Sequence, residues 1–101
     1  MLSWSIQFKV VDVTDFGAME AFVNEAKEAL GPIHSLFSCA GIAVPGPRLH
    51  EMDMKSFKKT IDVNQYGTIY INQLVLRAMM EQNAAGVERP KGGYTILNMG
   101  S

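Results

Sequence analysis

The chain has 101 residues, 48% of them hydrophobic and 19% charged, with a formal net charge of −1. That size and balance describe one soluble globular domain and exclude two. The basic residues are scattered, without the stripe or block that nucleic acid or an anionic membrane surface requires, so neither is expected as a partner. No apolar run approaches the ~20 residues of a membrane span. MLSWSIQFKVVDVTD at the N-terminus has no basic start before its apolar stretch and makes a poor signal peptide, which points to a cytoplasmic protein.

Residues 6–13, IQFKVVDV, are rich in β-branched and aromatic side chains and run into turn formers at Asp12 to Asp15, the pattern of a strand. A helix follows, capped by Thr14 or Asp15. Met19, Phe22, Val23, Ala26 and Leu30 recur in it at helical spacing, and Gly31-Pro32 ends it. IHSLFSCA, 33–40, reads as a second strand, apolar toward its end as in a strand covered on both faces. Cys39, the only cysteine, is expected there as a buried, inert thiol. A loop rich in proline and glycine, 41–52, leads to a long helical stretch from about Asp53 to Gln82. A polar loop, 83–93, then enters the last strand, YTILNM, 94–99. Strand, helix, strand, helix, strand in that order specifies an α/β fold with parallel strands and right-handed crossovers.

In an open parallel sheet, ligands bind beyond the carboxyl ends of the strands, here Asp12 to Thr14, Ser38 to Ile42 and Asn98 to Ser101. The loop 83–93 enters the opposite rim, so Glu88, Arg89 and Lys91 are expected as solvated surface charges. On the long helix, Phe57, Ile61, Thr68, Ile71 and Val75 define a sheet-facing stripe with Asn64 in its middle. An amide on a buried face must find partners. Asn64 therefore either bonds neighbouring backbone as a core residue or organises water or backbone beneath a site. Gly67, three positions on, lets another backbone approach or the helix bend. Ile69, Tyr70, Ile71, Leu74, Val75 and Leu76 surround the helix with apolar groups, which predicts burial on more than the sheet side.

Four motifs carry a family resemblance. DVTD (12–15), LGPIHSLFSCAGI (30–42), IDVNQYG (61–67) and GGYTILNMGS (92–101) resemble, in order and spacing, the middle of a short-chain dehydrogenase/reductase. They are similar to the segment after its third strand, its fourth strand and NNAG-type turn, the VNxxG of its fifth major helix, and the fifth strand ending in the catalytic serine. The resemblance runs from Val10 to Ser101 and implies a fragment of a Rossmann-type doubly wound parallel sheet, β-α-β-α-β, with family strands 3 to 5. It implies NAD or NADP as cofactor and hydride transfer to or from a small-molecule alcohol or carbonyl.

Laid on matching positions, the resemblance has Asp12 accept from the adenine amino group with Val13 beside it. Cys39, Ala40 and Gly41 lie along the cofactor ribose, Asn64 holds a water of a proton relay, and Ser101 bonds the substrate oxygen; no metal is implied. It also implies a homo-oligomer formed through the 53–82 helix.

The chain departs from the family in three places. Ser38-Cys39 stands where the family has Asn-Asn. No TGxxxGxG turn precedes Ile6, and no Tyr-x-x-x-Lys occurs, since neither Tyr66 nor Tyr70 has a lysine four positions on. The expectation is a partial NAD(P)-binding domain, 1–101, without the glycine-rich βαβ start or the Tyr-x-x-x-Lys half, and inactive by itself. In the family's strand order, 3-2-1-4-5-6-7, the first strand here lies apart from the other two. The sheet must then gape or rearrange, and the isolated chain is expected to be marginally folded. Two other readings stand beside this one: a non-catalytic product pairing with full-length subunits through 66–77, and an unrelated flavodoxin-like binding module.

Overall fold

A computed structural model describes residues 6–42 and 48–99. Helix α1, Phe16–Leu30, starts where the Asp15 carboxylate accepts the Ala18 N–H at 3.0 Å. It ends at Gly31, whose φ of +84° suits glycine and whose N–H bonds Lys27 O at 3.0 Å. Strand β1, Ser35–Ser38, pairs in parallel with β2, Thr95–Asn98, so that Ser35 faces Thr95 and Ser38 faces Asn98.

Between the strands the chain makes one 3₁₀ turn, Leu49–Glu51, and then a long helix in three consecutive pieces: α2, Met54–Ile61, a π-turn, Asp62–Gly67, and α3, Thr68–Ala84. Asp53 caps α2 by accepting the Lys55 N–H at 3.0 Å. The helix runs past the expected end at Gln82 to a Schellman close. There Gly86 takes φ +78°, and Val87 N–H and Gly86 N–H reach Gln82 O and Asn83 O at 3.0 and 3.2 Å. Gly86 is the first residue after Gln82 without a Cβ, so the helix stops there and not earlier.

The core is Met19 and Val23 of α1 against Leu74, Val75 and Met79 of α3, with Leu36 and Ile96 of the sheet packed onto them. Both helices thus cover one sheet face. On the other face the paired Phe37 and Leu97 are 56% and 52% exposed. As expected, Glu88, Arg89 and Lys91 are exposed. Among the described residues no helix is long and apolar enough to cross a membrane.

Several expectations need correction. Residues 6–13 do not join the sheet, which consists of β1 and β2 among the described residues. Strand propensity is satisfied only by a ladder partner about 4.8 Å away, and this segment has none among the described residues. Ile6, Phe8 and Val10 are 77%, 93% and 100% exposed. The segment lies instead along α1, with Lys9 Nζ 2.7 Å from Glu25 Oε2, an exposed pair that adds little stability. Phe57 is exposed although it belongs to the predicted stripe, because the core is built on α3 and α2 lies beyond it. Phe22 and Leu30 line an open groove of about 400 Å³ beside β1 and are only partly covered. The radius of gyration, 16.6 Å, exceeds the roughly 13 Å of a compact 100-residue domain.

Gln82 joins the end of α3 to the start of β1. Its Nε2 donates to Ile33 O at 2.9 Å, its Oε1 accepts the Ile33 N–H at 2.8 Å, and Tyr94 Oη lies 3.4 Å from the same Nε2. The side chain is buried, so its loss would leave two backbone groups without partners. Gln82→Met should lower the urea unfolding free energy by about 2 kcal/mol. Asp15→Ala, which removes only a cap, should cost about 1 kcal/mol in the same experiment.

Candidate functional site

Parallel pairing in register brings the carboxyl ends of both strands to one rim, and the Met99 N–H extends it by bonding Ser38 O at 2.8 Å. The π-turn of the long helix meets this rim. There Asn64 Nδ2 donates to Ile42 O at 2.8 Å and Asn64 Oδ1 accepts the Ile42 N–H at 2.7 Å. Of the two sequence readings of Asn64, bonding to neighbouring backbone is thus what its side chain does. Its own carbonyl accepts the Thr68 hydroxyl at 2.9 Å. A π-turn spends an extra residue on one turn and so changes which side chains and carbonyls face a neighbour, a feature common at functional sites.

Two glycines make the close approach possible. A Cβ on Gly41 would stand 3.4 Å from Asn64 Oδ1, and one on Gly67 would stand 2.9 Å from Val13 Cγ2 and 3.2 Å from Val13 O. The turn that holds Ile42 through Asn64 therefore also seats Val13 through Gly67. Asp12, Val13, Gly41 and Asn64, far apart in sequence, are brought together by one helical turn.

Asp12 folds its own turn. Its Oδ1 accepts the Thr14 N–H at 2.9 Å and the Thr14 hydroxyl at 2.7 Å, while its carbonyl accepts the Asp15 N–H at 3.0 Å. The Thr14 N–H, then the Thr14 hydroxyl, and more weakly the Lys59 charge, hold the carboxyl below its ordinary value of 3.8. Among the described residues no hydrogen bond takes up Oδ2. Asp12 and Thr14 face Lys55, Lys59 and Val63 across a cleft of about 270 Å³.

Cys39, Ala40 and Gly41 come directly after β1 and are all exposed. The expectation that Cys39 is buried is therefore wrong: its thiol is free and exposed, because the ladder of β1 ends at Ser38 and no described element covers the residues beyond it. Ser101 lies outside the described residues.

Sequence reasoning missed Asn72, and it placed Asn98 at a strand end without giving it a partner. Asn72 Nδ2 donates to Asn98 Oδ1 at 2.8 Å, and Asn98 Nδ2 returns a bond to Asn72 Oδ1 at 3.2 Å. The available signal was the position of Asn72, four residues after Thr68 and beside Ile71 on the sheet-facing stripe. The outer face of the helix is not buried by this chain: Tyr66, Ile69 and Leu76 are 47%, 51% and 46% exposed. Tyr66 stacks on Tyr70 at 6.4 Å, and Tyr70 meets Phe16 edge-on at 5.0 Å.

Two outcomes are expected from this geometry. In Gly67→Ala the gain in helix propensity, about 1 kcal/mol, is outweighed by a methyl pressed on the Val13 backbone, so the denaturation midpoint should fall by the equivalent of about 1–2 kcal/mol. For Asp12 the folded-state value is depressed, so its stabilisation is complete above 3.8 and is lost as pH falls through the lower folded value. Asp12→Asn should then flatten the acid limb of a thermal-stability profile below about pH 4, while the wild type continues to lose stability there.

The model of the short chain dehydrogenase family matches residues 2–88. The 3-dehydrosphinganine reductase of Danio rerio is 36% identical over 73 residues, 71% of this chain and 22% of that protein, so the chain spans about a fifth of that relative's length. The crystal structure of gox2181 superimposes with a TM-score of 0.79 at 28% identity, over 92% of this chain and 33% of that one. The structure of ElxO with NADP bound gives 0.76 at 25% identity, over 91% and 34%. The helices, the parallel pair and the π-turn rim are thus parts of a Rossmann-type sheet, and the chain belongs to the short-chain dehydrogenase family.

Proposed function

We propose that this chain is part of a cytoplasmic oxidoreductase that transfers hydride between NAD or NADP and a small-molecule alcohol or carbonyl, and that it forms the adenosine wall and helix core of that enzyme. The observation that carries this reading is the π-turn, whose Asn64 and Gly67 hold the Gly41–Ile42 and Val13 backbones at one rim. The nicotinamide, when bound, supplies or accepts the hydride.

The residues present suit such a cofactor. Asp12 has one carboxylate oxygen committed to its own turn and one open, which suits it to accept from the adenine amino group, with Val13 as the apolar edge. The exposed backbone of Cys39, Ala40 and Gly41 lets a ribose approach without side-chain obstruction. With the Asn64 side chain bonded to Ile42, a relay water is assigned to the Asn64 carbonyl, which also accepts the Thr68 hydroxyl. Ser101 orients and polarises the substrate oxygen but does not itself move the proton. No tyrosine in these 101 residues is followed by lysine four positions on, so proton transfer is not supplied by this chain and the isolated chain is inactive. The exposed Tyr66, Ile69 and Leu76 support an oligomer in which this helix face meets a second subunit.

Saturation-transfer NMR with NADP and with flavin mononucleotide tests the reading. NADP should receive saturation chiefly at its adenine protons, Asp12→Ala should weaken that several-fold, and flavin should receive none. Saturation of flavin without NADP would replace the oxidoreductase by a flavodoxin-like module. For the protein expressed from its own gene, 3-dehydrosphinganine, the substrate class in the name of the Danio rerio relative, is the first ketone to assay.

A further inference from the structure

Asn72 has no part in the roles assigned above, yet its amide makes three hydrogen bonds. Nδ2 donates to Thr68 O and to Asn98 Oδ1, each at 2.8 Å, and Oδ1 accepts from Asn98 Nδ2 at 3.2 Å. Both protons of the amide are thereby committed. Thr68 in turn donates its hydroxyl to the Asn64 carbonyl at 2.9 Å, and Asn64 holds both polar groups of Ile42. A continuous series of hydrogen bonds therefore runs Ile42, Asn64, Thr68, Asn72, Asn98, from the loop after β1, through the π-turn, to the last residue of β2.

An apolar side chain would serve at position 72 if packing were all that was required, since Ile71 and Val75 lie beside it and the position is half-buried. The two bonds of the pair are exposed, so they add little net stability. What they add is direction. The last ladder bond, Met99 N–H to Ser38 O, ties β2 to β1 but not to the helix. Leu36 and Ile96 touch the core through non-directional contacts, which tolerate small sliding. The reciprocal Asn72–Asn98 pair, two bonds in one plane, removes that freedom at the strand's end. Asn98 stands three residues before Ser101 in the sequence.

We propose that Asn72 is a positioning residue: through its paired bonds to Asn98 it sets the end of β2, and with it the rim where the two strands end, against the Asn64 π-turn. The inference rests on the proposed function for its purpose, but the coupling it asserts is a property of this chain.

The test is NMR on the ¹⁵N-labelled 101-residue chain. In the wild type the Asn72 side-chain NH₂ and the Met99 amide should exchange slowly with solvent. Asn72→Leu should speed Met99 exchange about ten-fold or more, and should shift the Ile42 amide and Asn64 side-chain resonances two helical turns away. Gln82→Met, which removes the other end's amide at similar cost to stability, should leave all three unmoved. Asn72→Asp, which sets an acceptor oxygen against Thr68 O and Asn98 Oδ1, should speed Met99 exchange as Asn72→Leu does. If Asn72→Leu does not fold, Asn98→Ser breaks the same pair from the strand side and must give the same pattern. The proposal is overturned by a wild type lacking this protection, or by variants that lose stability without moving Ile42 and Asn64. NADP titrated into the same wild-type sample separates the two readings: absence of binding retires the oxidoreductase and leaves the measured coupling standing.

Discussion

A helix face that lies against a sheet can carry an amide only where one neighbour offers both a donor and an acceptor, and Ile42 does so for Asn64. The two bonds, 2.7 and 2.8 Å, leave the loop after β1 a single position on the helix. Each bond contributes only about 1 kcal/mol net, but a half-made pair leaves desolvated backbone groups behind, so the arrangement is held mainly by the cost of its alternatives. The π-turn that presents Asn64 also presents Gly67 to Val13. Everything the rim does therefore depends on one amide and one missing Cβ on the same turn.

The same helix repeats the device at Asn72 and at Gln82, where amides take up Asn98 and Ile33. Such staples matter here because the apolar core is thin. Among the described residues six apolar side chains are buried, while Phe37, Leu97, Leu76 and Met80 keep about half or more of their surface in water. The relatives this chain resembles are about three times as long, the matched parts making up 22% to 34% of them. In a fold of that family a parallel sheet is covered on both faces, and the side chains exposed here are of the type such covering buries.

The division of labour at the rim also has its origin in local chemistry. Asp12 spends one oxygen on its own turn and so presents the other in a set direction. Asn64 spends its side chain on holding Ile42. The residues along the proposed cofactor wall are small, so the shape of that wall is a backbone shape, and the exposed thiol of Cys39 is its most reactive group.

Much of this was legible in the residues because its causes are local. Asp15 and Gly31 bound α1 through contacts within four residues. The oddity of Asn64 and the smallness of Gly67 were visible from helical periodicity, and the four ordered motifs pointed to the family. Strand character at 6–13 and apolar character at Phe57 were equally visible but misleading, since a strand needs a ladder partner and an apolar side chain needs a cover, and neither is encoded nearby. The burial of Cys39 failed for the same reason.

The sequence by itself determined where α1 begins and ends, the two strands that pair, and the family. Only the tertiary structure decided that Asn64 takes Ile42, that Asn72 takes Asn98, that Gln82 takes Ile33, and that residues 6–13 lie outside the ladder. Helix hydrogen bonds and caps close over four or five residues and can be read from spacing. The partners of Asn64, Asn72 and Gln82 lie 22, 26 and 49 residues away, and only packing brings them within reach.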